Sequence, residues 1–98
     1  VVGLRVLVVY DIGDNARREE FARRLQAAGL VRIQRSCFLG RGGLDRVREL
    51  VRLAERYVDP SRDVVHVFPL DEYSFRYSRY VGRPYGSGGP EGVEYAQP

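Results

Sequence analysis

Two periods of hydrophobicity alternate along the chain. Val6, Leu7, Val8 and Val9 form a mostly β-branched apolar run too short for a helix, and it stops at Asp11, Gly13 and Asp14. This predicts a buried strand that delivers an aspartate to its own C-terminal end. The period then lengthens: Phe21, Ala22, Leu25 and Ala28 share one face of a helix expected over Ala16 to Ala28, with Asp14 and Asn15 as cap candidates and Gly29 just past its end. From Leu30 to Arg41 alternation returns, in two short strands of roughly Val31 to Arg35 and Cys37 to Gly40 joined by a tight connection or a bulge. Val31 and Ile33 take one face of the first, Arg32 and Gln34 the other. Leu44, Val47, Leu50, Val51, Ala54 and Tyr57 then mark a second amphipathic helix. Asp59, Pro60 and Ser61 break it before a strand over Asp63 to Pro69, and Phe75 to Val81 alternates aromatic with polar residues as a fifth short strand would.

The order strand, helix, strand, strand, helix, strand predicts an α+β, ferredoxin-like βαββαβ domain: a four-stranded antiparallel sheet with both helices on one face. The open face must then meet water, nucleic acid or another subunit. A fifth C-terminal strand points to the last, by addition to a partner's sheet. Pro69 belongs at a strand end or on a free edge. Residues 1–82 make one domain, and 83–98 are too rich in Gly and Pro to fold alone, so they form a tail or a dimer arm with Tyr85, Val93 and Tyr95 as apolar handholds.

With 98 residues and 44% hydrophobic content, there is material for one small core. The net charge is +3, and all 16 basic residues are arginine. Arginine's planar fork suits phosphate oxygens. A bias spread through the whole chain is also what genomic composition or adaptation to heat leaves, so only particular positions bear on function. A lone cysteine, Cys37, excludes an intrachain disulfide, and no apolar stretch is long enough for a membrane span, so the expected location is the cytoplasm.

Several positions carry candidate chemistry, each with a structural counterpart. Asp11 at a strand tip suits a hard metal ion or a phosphate ester, although Asp, Gly and Asn also build ordinary strand-to-helix turns. Arg17 and Arg18 lie in a first helical turn, against the helix dipole, where an anion would favour them. Phe38 is either a stacking platform beside Arg32 on the open face or part of the core. His66, the single histidine, lies inside a strand and reads as structural. Arg46, Arg48, Arg52 and Arg56 alternate with acids and are a solvated face, with Glu49–Arg52 and Arg52–Glu55 as expected pairs. Gly40, Gly42 and Gly43 lack a phosphate-loop pattern. S-C-F-L-G-R supplies a single phenylalanine where an RNA-recognition motif needs an aromatic pair.

Taken in order, Val8-Val9-Tyr10-Asp11-Ile12, Asp14 with Arg17 and Arg18, Gly29 before Val31-Arg32-Ile33-Gln34, Ser36-Cys37-Phe38-Leu39-Gly40 and Val67-Phe68-Pro69-Leu70 closely resemble the second of the universal CRISPR-associated protein families, the small ferredoxin-like subunit of spacer acquisition in antiviral defence. The resemblance runs from about Leu4 to Gly82. Cys37 replaces a small aliphatic, Leu39 and Arg41 a more acidic stretch, and the Gly/Pro tail lies outside the pattern. The resemblance implies a homodimer, a metal-dependent endonuclease acting on RNA or double-stranded DNA with Mg2+ or Mn2+, and partnership with the CRISPR integrase subunit. It assigns metal binding and catalysis to Asp11, an active-site place to Tyr10, and nucleic-acid contacts to Arg17, Arg18, Arg32 and Phe38.

One aspartate per chain is a poor metal site, and a two-fold axis beside Asp11 would complete it with a second copy. Carboxylates brought together without metal disfavour ionisation, so such an enzyme needs a divalent ion and mildly alkaline pH. The alternatives are a non-catalytic scaffold that binds duplex DNA for the integrase, and a ferredoxin-like sensor of small ligands. The last predicts no salt-sensitive affinity for nucleic acid.

Overall fold

The structure is a computed structural model that describes residues 4–85. β1 (Arg5–Asp11) alternates strictly: Val6, Val8 and Tyr10 are buried, while Leu7, Val9 and Asp11 project to the opposite face. The chain then turns through Gly13 into α1 (Asn15–Ala27), where Asp14 accepts a hydrogen bond from the Arg17 amide at 2.8 Å and so satisfies one of the helix's free donors. Phe21, Ala22 and Leu25 pack down onto the sheet. Gly29 ends the helix at φ 94, a left-handed backbone that favours glycine.

β2 (Val31–Gln34) and β3 (Cys37–Arg41) form a hairpin with a bulge between Arg32 and Gln34. A Cβ on Gly40 would stand 2.7 Å from Leu30 Cγ, so this strand position is kept small for Leu30 to pack against it. α2 (Leu44–Glu55) buries Leu50 and Ala54. Its ion pairs are Arg46–Glu49 at 3.4 Å and Arg48–Asp45 at 2.9 Å rather than those expected around Arg52. β4 (Val64–Leu70) follows, and the sheet order is β2-β3-β1-β4, antiparallel throughout. Pro69 lies on an edge strand, where its missing N–H does least harm.

Both long helices cover the Val6/Val8/Tyr10 face, giving the ferredoxin-like α+β arrangement. The stretch Phe75 to Val81, expected as a fifth strand on a partner's sheet, pairs with no strand of this chain, and residues 77–81 are irregular. Instead α3 (Glu72–Arg76) starts at Asp71, whose carboxylate accepts from the Ser74 amide at 2.7 Å. Tyr73 and Tyr77, one helical turn apart, pack with ring centroids 4.8 Å apart. Phe75 is buried, and the Arg5 guanidinium lies 4.2 Å from its ring centre while reaching Glu72 at 3.6 Å. Residues 86–98, which hold most of the expected tail or arm, lie outside the described residues. No helix among the described residues is long and apolar enough to cross a membrane.

Candidate functional site

Strand register decides what shares a face with Asp11. Asp11 sits opposite Val64, Val9 opposite Cys37 and His66, and Leu7 opposite Leu39 and Phe68. The face away from the two long helices therefore carries a row of Leu7, Val9, Leu39 and Phe68 with Asp11 at one end; Leu39 is buried, Leu7 and Val9 are half-buried and Phe68 is exposed. Phe68 is 45% exposed and Val64 44% on this face. His66, also exposed, stacks on Phe68 with centroids 5.6 Å apart, so it belongs to this surface rather than to the core. Burial raises the Cys37 thiol's pKa, which keeps it an inert thiol.

The Asp11 carboxylate is exposed and takes part in no hydrogen bond or ion pair among the described residues. Among these residues no three of His, Cys, Asp and Glu converge on a common point. An unengaged carboxylate is a hard oxygen donor suited to Mg2+ or Mn2+, but one chain offers a single such ligand. The donor chemistry fits the ion, and each chain would contribute one such ligand.

Tyr10, the neighbour in sequence, points the other way. Its ring lies in the core, edge-on to Phe21 at 5.1 Å and stacked on Phe38 at 6.2 Å. Phe38 is fully buried, which settles its two readings in favour of the core. Arg32 nevertheless accompanies it on the helix side, with its guanidinium 5.0 Å from the Phe38 ring centre. Burial raises the Tyr10 phenol's pKa and the approach of Arg32 partly offsets this. That approach falls short of good hydrogen-bond geometry, leaving the Tyr10 hydroxyl and Arg32 Nε buried without a partner that meets it. Tyr10, Arg32 and Phe38 thus form one cluster, across the sheet from Asp11.

Arg17 and Arg18 are turned back onto the protein. Arg17 Nη1 donates to Asp63 Oδ2 at 2.7 Å and to the Tyr57 carbonyl, while Arg18 Nη1 donates to the Ile12 carbonyl at 2.9 Å and Arg18 Nη2 to Asn15. Both therefore brace the loop that follows Asp11. The centre of that bracing is Asp63, whose side chain is 1% exposed and also accepts from the Gly13 amide at 3.1 Å and the Asp59 amide at 2.9 Å. Arg17 and the two amides hold its carboxyl at about 2. Sequence reading missed this role because two of its partners, Gly13 and Arg17, lie about fifty residues earlier in the chain. It also passed over Arg35 and Arg62, exposed residues in the β2–β3 turn and just ahead of β4. Antiparallel order places both turns at the Asp11 end of the sheet, as the bond from the Tyr10 amide to the Ser36 carbonyl at 3.0 Å shows. Only the assembled topology reveals them.

The fold and this layout define a small ferredoxin-like domain with an apolar open sheet face, a free carboxylate at the tip of its central strand and arginine-bearing loops around that tip. The sequence model of the family described as CRISPR associated protein Cas2 matches residues 4–77, and the chain belongs to that family. It is 34% identical over 88 residues to a CRISPR-associated endoribonuclease Cas2 of Korarchaeum cryptofilum, covering 89% of this chain and 95% of that one. It is 31% identical over 71 residues to the protein of the same name from Aeropyrum pernix, covering 72% and 77%. A CRISPR-associated endonuclease Cas1/endonuclease Cas2 fusion of Thermoproteus tenax is 40% identical over 67 residues, 68% of this chain and 25% of the fusion. Among solved structures, a hypothetical protein from Thermus thermophilus superposes with a TM-score of 0.70 at 28% identity, over 82% of this chain and 92% of that one.

Proposed function

We propose that the chain works as a homodimer that hydrolyses phosphodiester bonds in RNA or double-stranded DNA, in CRISPR spacer acquisition, with Mg2+ or Mn2+ held between two Asp11 carboxylates. The endoribonuclease names of its relatives support the reaction class. The observation that carries the reading is the position of Asp11: an unengaged carboxylate at the margin of an exposed apolar face. A second copy laid on that face about a two-fold axis buries Phe68 and Val64 and brings a second Asp11 to the same end.

In such a dimer each Asp11 supplies one hard oxygen ligand, and a bound divalent ion supplies Lewis-acid stabilisation of the charge that builds on the phosphoryl oxygens. The Arg17–Asp63–Gly13 bracing fixes the loop behind Asp11, so the carboxylate is held by rigid backbone. Arg35 and Arg62 extend toward solvent at that end and attract the polyanion. Tyr10 lies on the other side of the sheet and acts in this scheme through packing beneath the strand.

Asp11→Asn tests the reading. With labelled RNA and duplex DNA in Mg2+, cleavage falls to the level seen with chelator, while thermal stability and binding in chelator stay at wild-type values. Cleavage that survives the substitution overturns it. A second reading, a non-catalytic DNA scaffold for the integrase, is favoured by the fusion relative, in which Cas1 and Cas2 share one chain. In that case Asp11→Asn leaves spacer acquisition in cells unchanged.

A further inference from the structure

The hairpin between β2 and β3 brings a cation level with the tip of β1. β1 and β3 keep one register, Val8 with Phe38 and Val9 with Cys37, and the Tyr10 amide continues it by donating to the Ser36 carbonyl at 3.0 Å. One step further, the same register sets Arg35 level with Asp11. Gln34 pairs with Cys37, so Arg35 and Ser36 are the two residues of a tight turn, and the Arg35 side chain is exposed there. Turn and strand tip are one to two strand spacings apart, roughly 5–10 Å. Yet neither Arg35 nor Asp11 takes part in a hydrogen bond or ion pair among the described residues. The other arginines of this end stand differently. Arg17 and Arg18 hold Asp63 and the loop carbonyls. Arg62 lies two positions ahead of Val64, the residue opposite Asp11, and its charge acts on Asp59, whose carboxyl's pKa is lowered first by hydrogen bonds from Ser61 and then by Arg62.

We propose that Arg35 holds the phosphodiester that is cut at Asp11, its guanidinium donating to one non-bridging oxygen and leaving the other to the ion that Asp11 would hold. This rests on the hydrolytic reading above and deepens it by naming the group that positions the scissile phosphate. A carboxylate suited to a cation and a guanidinium suited to an anion, neighbours but unpaired, match the two signs of a metal ion on a phosphate ester. An exposed arginine gains little from pairing with an exposed carboxylate, so leaving the two apart costs the fold little. A phosphate oxygen offers Arg35 a charge-assisted hydrogen bond in place of water, and the same contact strengthens as negative charge builds during hydrolysis.

The test uses the full chain with fluorescein-labelled RNA and duplex DNA, and compares Arg35→Ala and Arg35→Lys with Arg24→Ala, which removes an equal charge from the last turn of α1, at the other end of the sheet. In chelator, anisotropy across a salt series counts phosphate contacts. Arg35→Ala lowers the slope of log affinity against log salt by about 0.7–0.9, the share of one contact, while Arg35→Lys and Arg24→Ala keep the wild-type slope. In Mg2+, kcat of Arg35→Ala falls about 100-fold, as on losing one donor to developing charge, and lysine recovers only part of it. A wild-type slope or a wild-type kcat for Arg35→Ala overturns the assignment: the first leaves Arg35 without a phosphate, the second puts it on a flanking one. The hydrolytic reading survives either result as long as Asp11→Asn abolishes cleavage. No cleavage by wild type, or cleavage that survives Asp11→Asn, overturns that reading and the role of Arg35 together.

Discussion

Replacing Phe38 with alanine separates a packing role from a contact role at a position where family resemblance suggests substrate contact. The Phe38 ring is 0% exposed, stacks on Tyr10 at 6.2 Å and supports Arg32 at 5.0 Å. Truncating a phenylalanine so fully enclosed costs about 3–5 kcal/mol, from lost transfer energy and the cavity left behind. Domains of this size have roughly 5–15 kcal/mol in total. Each kcal/mol shifts the melting temperature by about 4–8 °C at this length, so Phe38→Ala melts at least ~12 °C lower. Circular dichroism at one fixed protein concentration measures this, since melting of the proposed dimer depends on concentration. Phe38→Leu, which refills most of the cavity, recovers part of the loss. An alanine variant within ~3 °C of wild type that has nonetheless lost nucleic-acid binding would refute the packing account.

Two other expectations follow from single contacts. Asp63 has its folded-state pKa lowered to about 2 from the ordinary 3.8, so its stabilisation is fully present above that ordinary value and is lost as pH falls through the lower one. Acid titration of stability therefore steepens between those two values, and Asp63→Asn removes that segment; an unchanged acid limb refutes the assignment. Phe68→Glu places a charge on the proposed dimer face at a side chain already 45% exposed, so sedimentation is expected to show a folded monomer for the variant and a dimer for wild type. A variant that stays dimeric rules this face out as the interface.

What was legible in the sequence is what local periodicity encodes. The β1 run, the Phe21/Ala22/Leu25 stripe, Asp14 as a cap and Gly29 as a stop each depend on residues within a few positions, and all stand as expected. The stretch after β4 shows the limit of the same signal. F-R-Y-S-R-Y-V alternates as a strand would, and the Asp71 cap with the seat for Phe75 over Arg5 decides for helix at its first two residues, Phe75 and Arg76, the rest being irregular. That decision needed Arg5, seventy residues earlier in the chain, which no local window contains.

The candidate site divides along the same line. Asp11 was visible because an abrupt acidic end to an apolar strand is a local event, whereas the fate of each arginine is a tertiary one. Arg17 and Arg18 looked available to an anion in the sequence, yet Asp63, Tyr57, Ile12 and Asn15 hold them. A guanidinium that already braces a loop gains little from a phosphate and loses its present partners by moving. An exposed arginine in a turn at the same end gives up only water. Nucleic-acid affinity is accordingly more sensitive to Arg35 and Arg62 than to Arg17, whose loss acts first on the geometry of the loop behind Asp11.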